Sequence, residues 1–359
     1  MKIAMFGHKR VPSRSGGVEV VVTELSSRMA DMGHEVTCYN RGGDAGSFAG
    51  VALKAVPDWG GRGLSAVTSG FFAALAAGLS NADVVHIHAE GPAFFCRIPK
   101  LFGKRVVVTV HGLDWQREKW RGSLGRCFIR AGEQAAVRFA DEIIVLSRNL
   151  QRYFLETYGR ETVYIPNGIT RPEDRPPEKL PPFGLEKDGY LLFLGRLVPE
   201  KEIHTLISAF RELETEKKLV IAGASSDTDG YVKTLKALAA GDSRILFTGF
   251  AQGRHLAALF GNAYLYILPS RVEGMPMSLL EAMSYGNCCL VSDIPELAEV
   301  VEDRGVTFPC GDVPALRAAL EALLENPEVV SRYKAAAADF VCGKYDWNEI
   351  VEKTLELYR

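Results

Sequence analysis

Short, continuously apolar runs alternate with amphipathic helical stretches from one end of this chain to the other. That alternation limits the possible folds more than any other feature. In the first half the runs KIAMFG, EVTCYN, DVVHIH, RVVVTVHG, EIIVLS and TVYIPN read as strands. In the second half YLLFLG, KLVIAG, RILFTG, AYLYILP, CCLVSD and VTFP do the same. Helical patterns separate most of them: VEVVVTELSSRMADMG, which Gly33 can close, then HTLISAFRELE, YVKTLKALAA, PMSLLEAMSYG and PALRAALEALLEN. A strand with no polar alternation is buried on both faces, and parallel strands joined by covering helices supply that burial. The fold class is therefore α/β, with doubly wound parallel sheets.

At 359 residues, 47% of them apolar, the chain can build two domains with a core each. The segment 169–189, ITRPEDRPPEKLPPFGLEKDG, is rich in proline and charge and has no apolar period. It reads as a linker between an N-terminal domain, 1–168, and a C-terminal domain, 190–342. The terminal helix, 343–359, is expected to pack back on the first domain. Two such sheets would face each other across a cleft between their carboxyl ends, where doubly wound folds bind ligands.

The net charge of −2 gives no global drive towards nucleic acid. MKIAMFGHKR lacks the apolar core of a signal peptide, and FFAALAAGL is too short to span a bilayer. Seven scattered cysteines include no Cys-x-x-Cys pair and read as buried free thiols. A cytoplasmic protein is expected. GHKRVPSRSGG has neither the Gly-x-Gly-x-x-Gly of a dinucleotide-binding turn nor a Gly-Lys-Ser/Thr phosphate loop, which argues against a dehydrogenase or an NTPase.

Two loops carry chemistry. In YLLFLGRLVPEKEIHTLISAF, Arg196 follows a strand and Lys201 opens a helix. Cations at a strand's carboxyl end beside a positive helix terminus make an anion site; an ordinary polar loop would look similar. In EGMPMSLLEAM, Glu273 and Glu281 stand eight residues apart around a helix start. Pro276 suits the first helical turn, and the amides of Met275 to Met277 would point into the cleft. Spacing alone proves little, since Glu178 and Glu186 are also eight apart in a proline-rich stretch.

EGMPMSLLEAMSYG resembles the Glu-x7-Glu signature of the retaining glycosyltransferases of family 4, which have the two-Rossmann GT-B fold. The resemblance runs through nearly the whole chain: SGGVEVVVTELSSRMADMGHEVTCY, VVVTVHG, ADEIIVLS, YIPNGI, FLGRLVPEK and the block from ILFTGF to AMSYG. It implies roles residue by residue. Glu281 would accept hydrogen bonds from the ribose hydroxyls of a nucleotide-sugar donor, and Glu273 would meet the donor sugar. Arg196 and Lys201 would neutralise the departing diphosphate, while Gly274, Met275, Pro276 and Met277 would bind sugar and phosphate through the backbone. His111 would contact the donor sugar, Gly16 and Gly17 would allow close approach of donor and acceptor, and Phe250 would lie near the base. It also implies retention of anomeric configuration, no metal and no cofactor beyond the nucleotide sugar itself.

Two departures concern donor identity. Ser292-Asp293-Ile294-Pro295-Glu296 stands where many relatives carry Gly-Gly-x-x-Glu, and His111-Gly112 where many carry His-Asp. Asp227-x-Asp229 has a spacing used for metals elsewhere, but Asp before a helix is more often an N-cap. His86 and His88 share a strand face without a third ligand, so packing or cleft lining suits them better than metal binding. The stretch 114–130 has two tryptophans and five basic residues against two acids. It is either a solvated basic helix or a surface for a lipid-linked acceptor at the inner, anionic face of a membrane. The reaction expected is hexose transfer to a carbohydrate or lipid-linked hydroxyl in polysaccharide synthesis. A nucleotide-sugar epimerase of related fold and a non-catalytic nucleotide-sugar sensor are the alternatives.

Overall fold

A computed structural model describes residues 1–61, 64–173, 179–180 and 183–359. It forms two compact units, Met1–Gly168 with Trp347–Arg359, and Ile169–Asp346.

The first unit is built on eight strands: β1 (Lys2–Phe6), β2 (Glu35–Arg41), β3 (Gly46–Phe48), β4 (Val51–Val56), β5 (Val84–His88), β6 (Arg105–Val110), β7 (Glu142–Val145) and β8 (Val163–Tyr164). Their order is β3-β4-β2-β1-β5-β6-β7-β8, and only β3 runs antiparallel to its neighbour. Its helices are α1 (Gly17–Asp31), α2 (Leu64–Leu79), α3 (Glu90–Ala93), α4 (Arg97–Leu101), α5 (Leu124–Phe139) and α6 (Arg148–Tyr158). Strands β1, β5, β6 and β7 are almost wholly buried, as their continuous apolar sequence requires. The apolar runs do not mark β3 and β4, because β3 is exposed and VALKAV buries only its two end valines near the sheet edge. TVYIPN contributes only the two residues of β8.

The second unit begins with an antiparallel ribbon, β9 (Lys179–Leu180) and β10 (Leu185–Glu186). The expected linker 169–189 therefore contains paired strands and belongs to this unit; its residues 174–178 and 181–182 lie outside those described. Six parallel strands follow: β11 (Tyr190–Leu194), β12 (Lys218–Ala222), β13 (Ile245–Gly249), β14 (Leu265–Leu268), β15 (Cys289–Ser292) and β16 (Val306–Phe308). The helices are α7 (Ile203–Arg211), α8 (Asp229–Ala239), α9 (Gly253–Asn262), α10 (Met277–Ser284), α11 (Pro295–Val301), α12 (Val313–Glu325) and α13 (Pro327–Lys344). The order β13-β12-β11-β14-β15-β16 is the 3-2-1-4-5-6 arrangement of a Rossmann sheet, with its switch point between β11 and β14.

The expected terminal helix 343–359 is divided. Helix α13 ends at Lys344 in the second unit, and a separate helix, Trp347–Glu356, packs on α1 in the first. Gly168 is required beside it, since a Cβ there would lie 2.3 Å from the Trp347 ring. Among the described residues no helix is long and apolar enough to cross a membrane. Four cysteines are buried, Cys310 and Cys342 are half-buried, and Cys127 is exposed.

Candidate active site

In the second unit the charged loops meet at the switch point. The loop after β11 carries Gly195 and Arg196, then a single 3-10 turn, Pro199–Lys201. Lys201 ends that turn rather than opening α7. Glu202 follows in a left-handed conformation (φ 51°) and turns the chain into the helix. The loop after β14 carries Arg271 and Glu273. Lys201 Nζ pairs with Glu273 Oε1, and both side chains are about nine-tenths buried. Arg271 reaches Glu202 at 2.8 Å, its amide donates to Glu200 O at 2.9 Å, and Thr205 Oγ1 donates to Glu202 at 2.8 Å. Two loops distant in sequence are thus locked by two crossed ion pairs.

Behind them, Gly223 leaves β12 at φ 154°, and a Cβ there would lie 1.8 Å from Gly195 O. Tyr266, wholly buried in β14, donates within reach of Leu194 O (3.3 Å) and Ser278 Oγ (2.9 Å), joining β11 to the start of α10. Pro276 is the N-cap of α10 rather than a residue of its first turn, with ψ 120°, and no side chain caps the helix. The N-terminal amides of α10 thus depend on groups other than a capping side chain, as at helix ends that receive anions. Met275 and Met277 are buried, Glu281 is half-buried on α10, and Phe250 is exposed just after β13. Asp293 accepts from the Cys310 amide at 2.9 Å. Thr228, not Asp227 or Asp229, is the N-cap of α8.

In the first unit the loop after β1 is held from beneath. Gly16 is the N-cap of α1 and Gly17 its first residue. Glu19 accepts from the Lys9 amide at 3.0 Å. Asn40 accepts from the Val11 amide at 2.9 Å, donates to Val11 O at 3.0 Å and meets His8 Nε2 at 3.0 Å. A Cβ on Gly7 (φ 108°) would lie 2.0 Å from His88 O, so only glycine lets β1 leave the sheet against β5. His88 then reaches His111, at the end of β6, with 3.1 Å between Nδ1 and Nε2. His86 and His88 are wholly buried, and His86 bonds Thr109 (2.7 Å) and Tyr358 (2.6 Å). Burial lowers the pKa of His8 and His111 to about 4 and that of His86 to about 3, so all three are neutral at pH 7. Among the described residues no three His, Cys, Asp or Glu side chains converge to hold a metal.

The stretch 114–130 is two 3-10 turns followed by the start of α5. Trp115 lies against Arg126 and Arg130, with guanidinium carbons 5.2 and 5.1 Å from its ring centre. Arg117 pairs with Asp114 at 2.8 Å, while Arg121 is largely exposed.

Of the residues read from the sequence, Arg196, Lys201, Glu273, Gly274 to Met277 and Glu281 gather on adjoining loops and one helix of the second unit. Phe250 stands two strands away, and Gly16, Gly17 and His111 belong to the first unit. Sequence reading missed Glu202 and Arg271, which lock the loops, and Glu19, Asn40, Glu90 and Glu133, which support the first unit's edge. Arg271, next to the signature, was the one with a usable signal.

The comparisons agree with this architecture. Residues 15–171 match the family described as "Glycosyltransferase Family 4" and residues 177–340 the family described as "Glycosyl transferases group 1". The α-maltose-1-phosphate synthase of Mycolicibacterium smegmatis is 26% identical, with 100% of this chain and 99% of that protein covered. The sucrose-phosphate synthase of Thermosynechococcus elongatus superposes with TM-score 0.85 at 19% identity, covering 100% of this chain and 98% of that one. HepE of Anabaena, solved with UDP and glucose, gives TM-score 0.82 at 19% identity, covering 99% and 98%. The two Rossmann-like units are those of the GT-B glycosyltransferases. The chain belongs to glycosyltransferase family 4.

Proposed function

We propose that the protein moves a hexose from a nucleotide-diphosphate sugar to the hydroxyl of a carbohydrate or lipid-linked acceptor, with retention and without a metal. The supporting observation is the meeting of Lys201 and Glu273 at the switch point, beside Arg196 and the uncapped start of α10. In this reading the diphosphate lies between Arg196, Lys201 and the amides of Met275 to Met277. Glu281 accepts from the two ribose hydroxyls, a task for a group that accepts without donating. Glu273 holds Lys201 in place and orients the sugar, and His111, neutral at pH 7, offers a hydrogen bond rather than a charge.

The bond from the anomeric carbon to the diphosphate breaks as the acceptor oxygen attacks from the same face, and the acceptor proton leaves with the diphosphate. Negative charge grows on the phosphate, where fixed cations and helix amides stabilise it at no reorganisation cost. HepE's complex with UDP and glucose makes UDP-glucose the first donor to test. A role in cell-surface polysaccharide synthesis on the cytoplasmic side, with 114–130 touching an anionic membrane, completes the reading. If Arg117, Lys119 and Arg121 make that contact, reversing their charges abolishes vesicle binding; unchanged binding removes it.

The deciding experiment follows a panel of nucleotide sugars by NMR in EDTA. Release of nucleoside diphosphate, with the donor's anomeric configuration kept in the product, is the expected result. Epimerised donor, or binding without turnover, would replace this reading with one of the two alternatives.

A further inference from the structure

Beneath the loop that carries His111 lie two buried carboxyl groups side by side. Glu90 opens α3 and Glu133 lies in the middle of α5; both are wholly buried. Glu133 is well supplied with donors. Trp115 Nε1 reaches it at 3.2 Å, Tyr153 Oη at 2.9 Å, and Tyr158 Oη also donates to it. Among the described residues Glu90 has one donor, the Asp114 amide, at 2.7 Å to Oε2. Its Oε1 is sealed from solvent with no N–H or O–H donor among the described residues, and the group beside it is the Glu133 carboxyl. Glu133 accepts hydrogen bonds from three donors, Trp115, Tyr153 and Tyr158. An oxygen that meets only another carboxylate favours a proton at Glu90.

The other ionisable groups nearby do not change this assignment. On α5, Arg126 and Arg130 lie over the Trp115 ring; on α6 stand Tyr153 and Tyr158; Asp114 adds a further negative charge; His88, at the end of β5, is neutral; α2 carries no charged residue.

We infer that Glu90 is a positioning residue working as a neutral carboxylic acid: its O–H faces Glu133, its other oxygen takes the Asp114 amide, and the pair fixes the segment from His111 to Trp115. The inference rests on reading His111 as a donor-site residue. Glu90 grips the backbone at Asp114 and Glu133 grips the side chain of Trp115, so the three residues following His111 have little freedom. Burial, then the Glu133 carboxyl, holds the Glu90 pKa well above its ordinary value. Removing the Glu90 proton would set a buried negative charge against the acceptor oxygens of Glu133, a cost relieved by releasing the segment.

The sign of the pH effect is fixed. Unfolded Glu90 gives up its proton near 4.5, whereas folded Glu90 keeps it. The native state therefore binds more protons above that pH, and stability falls as pH rises towards the raised pKa. Gln at this position supplies an N–H₂ towards Glu133 and an oxygen for the Asp114 amide without titrating.

The test compares wild type, Glu90→Gln and Glu90→Ala from about pH 5 to about pH 9. It measures melting temperature, Trp115 emission (by difference from Trp115→Phe versions) and steady-state kinetics. Glu90→Gln should melt above wild type at neutral pH, with the gap closing as the pH falls. Trp115 emission should change at alkaline pH in wild type and stay constant in Glu90→Gln. Glu90→Ala should shift that emission and lower kcat about 10- to 100-fold, with UDP affinity unchanged and with Gln restoring the rate.

Glu90→Gln melting below wild type at neutral pH would overturn the neutral acid. A folded Glu90→Ala with unchanged emission and unchanged kcat would overturn the positioning role. Should Glu90→Ala fail to fold, the wild-type and Glu90→Gln pH profiles decide. Melting and emission need no substrate, so absence of any transfer would count against the proposed function and leave this inference to those two readouts.

Discussion

The two units share a doubly wound sheet but handle charge at its carboxyl edge in opposite ways. The second unit ties its loops with crossed ion pairs, Lys201 with Glu273 and Arg271 with Glu202, and leaves the start of α10 without a side-chain cap. The first unit removes charge: His8, His86, His88 and His111 are held neutral by burial, and Glu90 is pushed towards its acid form. One edge concentrates paired charge beside an open helix start. The other can present hydroxyl-scale hydrogen bonding without competing charge.

The largest effect that could break this contrast is at Lys201. Lys201→Ala leaves Glu273 as a nine-tenths buried carboxylate without its cation. Breaking a buried pair from one side costs about 3–5 kcal/mol, visible as a lower denaturant midpoint. Combining Lys201→Met with Glu273→Gln should recover most of that stability and none of the turnover. Arg196→Ala with Lys201→Ala should slow turnover by about 3–4 kcal/mol of transition-state stabilisation, read as kcat. A double variant with normal rates would remove the leaving-group role.

Next in size is Glu281→Ala. It should weaken nucleotide affinity by about 1.5–3 kcal/mol, the range for hydrogen bonds to a charged group, with kcat little changed at saturation. Calorimetric titration with the nucleotide checks this, and equal affinity would contradict ribose binding.

The pH response sharpens the contrast from the other side. Unfolded histidines take up protons near 6.5, whereas folded His8 and His111 do so only near 4. The unfolded state therefore binds more protons in that window, and stability is lost as pH falls from about 6.5 to about 4. Hydrogen exchange should show β1, β5 and β6 opening before β11 and β14 as the medium is acidified. Equal loosening of both units would mean that the neutral histidines do not set the first unit's acid limit.

What was legible in the sequence follows the same line. The switch-point residues of the second unit could be singled out only through the family resemblance, because charge between an apolar strand and a helix also suits an ordinary polar loop. Arg196, Lys201 and Glu273 all have that setting. Their pairing could not be read, since it depends on β11 and β14 becoming neighbours, an order that local pattern does not encode. Strand β4 is not evident because a strand one in from the edge, with half its residues exposed, carries a weak apolar signal. Glu90 and Glu133 look like ordinary helix acids in sequence; only the packing of α3 on α5 buries both. Gly132 marks that packing, since a Cβ there would lie 2.0 Å from Glu90 O, but a glycine within a helix gave no direction in which to look.

In the proposed reaction the second unit's switch point holds a nucleoside diphosphate through protein cations rather than a metal. Thermal unfolding with UDP, GDP, ADP or dTDP, each in magnesium and in EDTA, tests it on the intact chain. A ligand at about 100 times its dissociation constant stabilises by about 2.7 kcal/mol. One nucleotide should raise the midpoint equally in magnesium and EDTA, and Arg196→Ala with Lys201→Ala should abolish the rise. A rise that vanishes in EDTA, or none with any nucleotide, would contradict it.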